Sequence, residues 1–177
     1  MAIKWTVDPT HSDVEFKVKH LVISTVTGKF TSFDGSIVSE SESDFSDAKV
    51  EFSIDADSID TSMKDRDAHL KSADFFDAEK YPKLTFKSTS FTKKTDDEYT
   101  LVGDLTIKDV TREAVFQVEL GGTAEDPYGN FKAGFEASSK ISRKEFGLTW
   151  SAVTEAGSVV VGDEIRIALN LQFVKQQ

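Results

Sequence analysis

The chain has 177 residues, no Cys and a formal net charge of -10. That length favours one domain with a core of its own, the missing thiols exclude disulfides and Cys chemistry, and the acidic balance opposes a nucleic-acid partner. No apolar run approaches the ~20 residues of a membrane-spanning helix, so no transmembrane segment is expected.

From Met1 the chain passes almost at once into folded-looking sequence, with no basic region followed by an apolar one. A cytoplasmic location is expected; a chain whose leader had been removed would look the same and would be periplasmic or secreted. Lys4–Val7 is a first short apolar-polar run. In SDVEFKVKH, Val14, Phe16, Val18 and His20 share one face, and Asp13, Glu15, Lys17 and Lys19 share the other. This is the period-2 pattern of a half-buried strand. Val26–Phe33 is another short run, followed by the turn signal Asp34-Gly35. SESESD at 39–44 reads as a solvated acidic loop. AKVEFSID then sets Val50, Phe52 and Ile54 on one face.

KDRDAHLKSADFFDAEKYP, from Lys64 to Pro82, breaks the alternation. Ser62 followed by Asp65 resembles a capping box. Asp67 and Lys71 stand in the favourable order for an i,i+4 pair. Arg66, His69, Leu70 and Ala73 fall on one face at helical spacing. Asp74 and Asp77 bracket Phe75-Phe76, and Pro82 forbids continuation. A short helix near 64–73 is expected between two strands. It cannot join the sheet, so it must cover an edge or an opening.

Alternation resumes at Leu84–Phe91 and continues with Tyr99, Leu101, Leu105 and Ile107. It then aligns Ala114, Phe116, Val118 and Leu120, and after them Phe131, Ala133, Phe135, Ala137 and Ile141. The last run aligns Ile165, Ile167, Leu169, Leu171 and Phe173. Asp109 to Thr111, Gly121-Gly122 and DPYGN at 126–130 mark turns. About eight or nine strands joined by short turns imply an all-β antiparallel sandwich or barrel. Strands of ~10 residues favour the barrel, and Gly103 and Gly134 fit the bends where a sheet curls shut.

Catalytic signatures are missing. His11, His20 and His69 have no metal-ligand spacing, and there is no GxSxG and no glycine-rich phosphate loop. Neither an enzymatic activity nor a cofactor is expected. What stands out is apolar: 14 Phe against 3 Tyr and 2 Trp. Phe16, Phe52, Phe86, Phe116, Phe135 and Phe173 share the inward parity with the small residues Gly103, Ala114, Ala133 and Ala137. An eight-stranded barrel is just wide enough to fill with side chains or to hold one slender ligand. The small residues are expected to leave volume unfilled. His20 is the polar member of an apolar face; Arg66 and His69 on the helix, and Arg143 and Lys144 beside Phe146, Leu148 and Trp150, are candidate head-group contacts. Phe45 and Phe91 would support a homodimer if they lay on an outer face.

Four blocks in order resemble the YceI-like, polyisoprenoid-binding family: residues 5–37, residues 66–89, VGDLTIKDVTREAVF at 102–116 and ISRKEFGLTW at 141–150. The resemblance spans about Trp5 to Val174. It implies one domain, an extended lipocalin-like antiparallel barrel of about eight strands with a helical insertion. It implies a binding protein, not an enzyme, holding a polyprenyl pyrophosphate or quinone-type lipid for carriage, storage or sensing. The expected interior contacts are Phe16, Val18, His20, Phe52, Ile54, Phe86, Leu105, Phe116, Phe135 and Ile167. The expected cap and head-group contacts are Arg66, His69, Phe75, Phe76 and Arg143. Many members carry a signal peptide and work in the periplasm.

Overall fold

Alternation becomes antiparallel strands in the computed structural model, which describes residues 2–20, 24–73, 75–148 and 161–176, the side chains of His20 and Val161 excepted. Eleven strands lie among the described residues: β1 (Ile3–Val7), β2 (Asp13–His20), β3 (Ser24–Phe30), β4 (Phe33–Ser39), β5 (Lys49–Asp55), β6 (Ile59–Asp60), β7 (Lys83–Lys93), β8 (Glu98–Ile107), β9 (Val110–Glu125), β10 (Phe131–Ser142) and β11 (Val161–Lys175). One helix, α1 (Lys64–Lys71), falls between β6 and β7.

The order β1-β4-β5-β7-β8-β9-β10-β11 closes on itself, because β1 also pairs with β11. The result is an eight-stranded antiparallel barrel. β2, β3 and β6 extend three of its staves. β2 continues along β11 where β1 leaves off, β3 pairs with β2, and β6 pairs with β3. Each stave is therefore one long strand broken once, at residues 8–12, 31–32 and 56–58. Distant carbonyls hold the breaks: Asp8 N–H donates to Gln172 (2.8 Å), Thr31 N–H to Ser58 (3.2 Å) and Asp55 N–H to Ser32 (2.9 Å). Beyond the β5–β7 pairing, which ends at Asp55 and Lys83, β6 and β7 part. The α1 segment fills this gap.

Several local expectations change. The Val26–Phe33 run is two strands with the break at Thr31 and Ser32. Asp34-Gly35 lies inside β4, where Gly35 faces the ring of Phe52 across the sheet. Gly121-Gly122 lies inside β9, opposite the register shift at Gly134 and Phe135, and so serves a bulge and not a turn. The β8–β9 turn sits at Lys108 and Asp109, with Lys108 left-handed (φ 59°). The 126–130 turn stands as expected: the Asp126 carboxylate accepts from the N–H groups of Tyr128 and Asn130, both at 2.9 Å.

Gly103 answers a close approach. A Cβ there would stand 2.5 Å from the Lys87 carbonyl oxygen and 2.5 Å from Phe86 Cζ, where β7 bulges between Ser88 and Ser90. A backbone oxygen cannot swing aside as a side-chain tip can. Gly103→Ala is expected to cost about 1–3 kcal/mol, read as a lower denaturant midpoint with unchanged slope.

The break between β1 and β2 is pinned by charge. The Asp8 carboxylate accepts from the Thr10 N–H (3.1 Å) and hydroxyl (2.7 Å), meets His11 Nδ1 at 2.8 Å and accepts from Lys132 Nζ at 3.0 Å. The Thr10 hydroxyl above all, then His11 and Lys132, holds this carboxyl well below the usual carboxylate range against the opposing effect of burial. A depressed folded pKa gives stability that is full above the unfolded value near 3.9 and is lost as pH falls through the folded one. Asp8→Asn is expected to lose about 2 kcal/mol at pH 7. Its deficit relative to wild type should shrink below about pH 4, in melting curves taken across that range.

Candidate functional site

Among the described residues, one end of the barrel is packed. Trp5, Phe45 and Tyr99 are each 0% exposed. Phe45, from the loop between β4 and β5, lies 5.3 Å from Trp5 and 5.0 Å edge-on from Phe135. Trp5 Nε1 donates to Ser39 Oγ (2.9 Å), and the Tyr99 hydroxyl accepts from the Phe45 N–H (3.2 Å). Phe45 and Phe91 (2% exposed) are thus core residues, and neither lies on an outer face, the condition under which they would have supported a homodimer.

Above this floor lies a cavity of about 180 Å³ whose accessible surface is apolar, although two charged residues, Glu15 and Arg143, are among those that border it. Strand parity explains the wall. Phe16 and Val18 enter from β2, Phe52 and Ile54 from β5, and Phe86 from β7. Leu105, Phe116, Phe135 and Ile167 enter from β8, β9, β10 and β11. The rings interlock edge to face, as in Phe86 against Phe116 (5.4 Å, 82°). Yet Phe16, Val18, Phe52, Ile54, Ile167 and Leu169 point inward and are only half-buried. Their exposed surface is the lining of the cavity itself. The His20 side chain and Trp150 lie outside the described residues.

The small residues act otherwise than expected. Gly103 leaves no space, because the Phe86 ring occupies it. Ala114 and Ala133 are packed, at 3% and 0% exposure. Of the four, Ala137 alone stands on the cavity wall. The cavity is made by large side chains that fail to meet, not by small ones.

Leu70, Phe75 and Phe76 close the gap between β6 and β7 and line the cavity there. Phe76 stands edge-on to Phe30 at 5.9 Å. α1 itself has no fully buried residue and starts without a capping box: its N-cap is Met63, with no side-chain bond, after a left-handed Ser62 (φ 67°). Asp67 turns back to accept from the Thr61 N–H (2.8 Å), while Lys71 meets Asp57 (3.7 Å), so the expected Asp67–Lys71 pair does not form.

The expected head-group contacts are engaged elsewhere. Arg66 lies off the wall and donates through Nε to Thr61 Oγ1 (2.8 Å) and through Nη2 to the Thr61 carbonyl (2.6 Å). His69 lies off the wall against the Phe75 ring (5.1 Å). Arg143 does border the cavity, at 2% exposure, but with its stem. Its Nε donates to the Gly162 carbonyl (2.8 Å) and its Nη1 to that of Leu148 (2.6 Å). Burial pulls this guanidinium down from its ordinary value, and Asp163 opposes the shift. Arg143 fastens the 143–148 turn to the start of β11.

Residues not anticipated on the wall include Leu70, Phe91 and Leu148. Leu70 and Leu148 come from segments without strand parity; Phe91 lies past the β7 bulge, which reverses parity. A wider groove of about 500 Å³ crosses the outside of the barrel, bordered by Asp13, Glu15, Glu98, Glu119 and Glu136. It is acidic and faces water, and would repel an anionic head.

A family model described as YceI-like domain matches residues 5–173. A UPF0312 protein of Staphylococcus aureus (strain bovine RF122 / ET3-1) is 36% identical over 170 residues, covering 96% of each chain. A UPF0312 protein of Pectobacterium atrosepticum is 37% identical over 174 residues, covering 98% of this chain and 86% of the other. Among solved structures, the Campylobacter jejuni YCEI protein aligns with TM-score 0.76 at 31% identity over 90% of both chains. Burkholderia cenocepacia BcnA aligns with TM-score 0.81 at 23% identity, over 94% of this chain and 98% of the other. A polyisoprenoid binding domain from Saccharophagus degradans aligns with TM-score 0.69 at 13% identity, over 97% and 98%. The last two likenesses are of fold.

Proposed function

The chain belongs to the YceI-like domain family, and from that membership and the dry interior of the barrel we propose that it binds a long-chain isoprenoid amphiphile and carries, stores or senses it. The observation that carries this reading is the set of inward-facing apolar side chains left half-buried around a cavity whose accessible surface is apolar. Apolar surface in a sealed-floor cavity is stabilised by an apolar guest, at ~0.8 kcal/mol for each buried methylene, less the cost of ordering a flexible chain. The polyisoprenoid binding domain of like fold supports the class of guest.

The head group is the secondary determinant. Arg66 and Arg143 donate to backbone carbonyls, and the net charge is -10. This favours a neutral, quinone-type head over a pyrophosphate. The experiment is displacement of an apolar fluorescent dye from detergent-free protein by a quinone with an isoprenoid tail and by a polyprenyl pyrophosphate. Displacement by the quinone at lower concentration supports the reading. Displacement by neither overturns it.

A further inference from the structure

The floor of the cavity is built in two layers. Phe91, Phe135 and Phe173 face the cavity, and Trp5, Phe45 and Tyr99 stand behind them. Phe135 joins the layers: it meets Phe45 behind it at 5.0 Å and Phe173 beside it at 6.0 Å, both edge-on. The polar atoms of the rear layer are already committed, Trp5 Nε1 to Ser39 and the Tyr99 hydroxyl to the Phe45 N–H. Among the described residues no buried side-chain polar atom lacks a partner. A carbonyl, hydroxyl or phosphate pushed to this floor would lose its water and find nothing in return. A guest must therefore enter tail first.

A rigid floor also makes the depth finite. On β11 the cavity wall runs from Ile165 to Phe173, roughly 26 Å of strand and about 20 Å along the axis at a tilt near 40°. Tail carbons above the floor are buried and add affinity. Carbons beyond that depth stay at the mouth and add little.

Resting on the lipid-binding reading above, we propose that Phe135, backed by Phe45 and Phe173, is the stop that sets the tail length the barrel accommodates. Affinity rises with tail length until the tail end meets this ring, and then levels off. Removing the ring joins its volume to the cavity, because Phe135 itself lines it. Phe86, higher on the wall, borders the cavity from the side; removing it widens the cavity without deepening it.

The test measures binding of farnesol, geranylgeraniol and solanesol to the full chain, to Phe135→Ala, to Phe135→Leu and to Phe86→Ala. The expected wild-type series levels off, and both Phe135 variants move the levelling to a longer tail, with a relative gain of about tenfold or more for the longer alcohol. Phe86→Ala is expected to change all three affinities alike. A Phe135→Leu protein that melts like wild type and keeps the wild-type length profile overturns the stop. Binding of none of the alcohols by any of the proteins, wild type included, overturns the lipid-binding reading, and the stop with it.

Discussion

Ala137→Phe is expected to reduce lipid uptake by about a hundredfold or more while leaving the melting temperature close to that of wild type. Ala137 sits midway down β10, opposite Leu169 on β11 and Val118 on β9, and its side chain borders the cavity. A Phe ring there projects into the cavity of about 180 Å³ and not into packed core. Overpacking a filled core costs about 1–3 kcal/mol; here the ring enters unfilled space and covers the half-buried Leu169 and Ile167. The same ring bars the tail from everything below it. Four methylenes kept out of the barrel forfeit roughly 3 kcal/mol, which is about a hundredfold in affinity. Calorimetric binding and thermal melting on one preparation read both quantities. Unchanged uptake would mean that the guest lies somewhere other than this cavity.

Trp5→Ala is expected to do the reverse. Trp5 is 0% exposed, packs against Phe45 (5.3 Å) and Phe131 (5.9 Å), and donates to Ser39 Oγ. Deleting a fully packed aromatic costs about 3–5 kcal/mol, a drop of about 10 °C in a chain of this length. Trp5 stands behind the floor and does not border the cavity. The protein that remains folded below its melting point should therefore bind lipid nearly as well as wild type. Measured at low temperature, a loss of binding comparable to that of Ala137→Phe would show that the floor is not independent of the cavity above it.

Period-2 parity explains why much of the wall was legible in the sequence. Once a strand has one dry face, every second side chain must point to it. Phe16, Val18, Phe52, Ile54, Phe86, Leu105, Phe116, Phe135 and Ile167 all border the cavity for that reason. Parity fails where the backbone slips. Phe86 and Phe91 have opposite parity and both face inward, because the bulge between Ser88 and Ser90 inserts a residue between them. It is silent in loops, so Phe45 could not be placed until Trp5 and Phe135 stood on either side of it. The stave breaks at 8–12, 31–32 and 56–58 were invisible for a related reason. They are held by carbonyls far away in sequence, such as Gln172 for Asp8.

Charge was the least legible property. Arg66 stands on a helix expected to cover an opening of the barrel, and Arg143 stands a few residues before Phe146, Leu148 and Trp150, which suggests a ligand head group. Their partners turn out to be the carbonyls of Thr61, Leu148 and Gly162. A guanidinium donates to any well-placed carbonyl oxygen, and nothing local in the sequence says where one will be. The cap over the gap between β6 and β7 likewise rests on Leu70, Phe75 and Phe76 and not on the charged residues of α1. A barrel that offers its guest hydrocarbon and little else should select by the tail.

The most direct measurement is native mass spectrometry of the protein purified without detergent, followed by solvent extraction and lipid analysis. The expected result is a discrete added mass, released by the solvent, whose fragmentation shows a single isoprenoid tail and a neutral head. A clean mass of the bare chain, unchanged after incubation with quinones and polyprenyl lipids, would contradict the account.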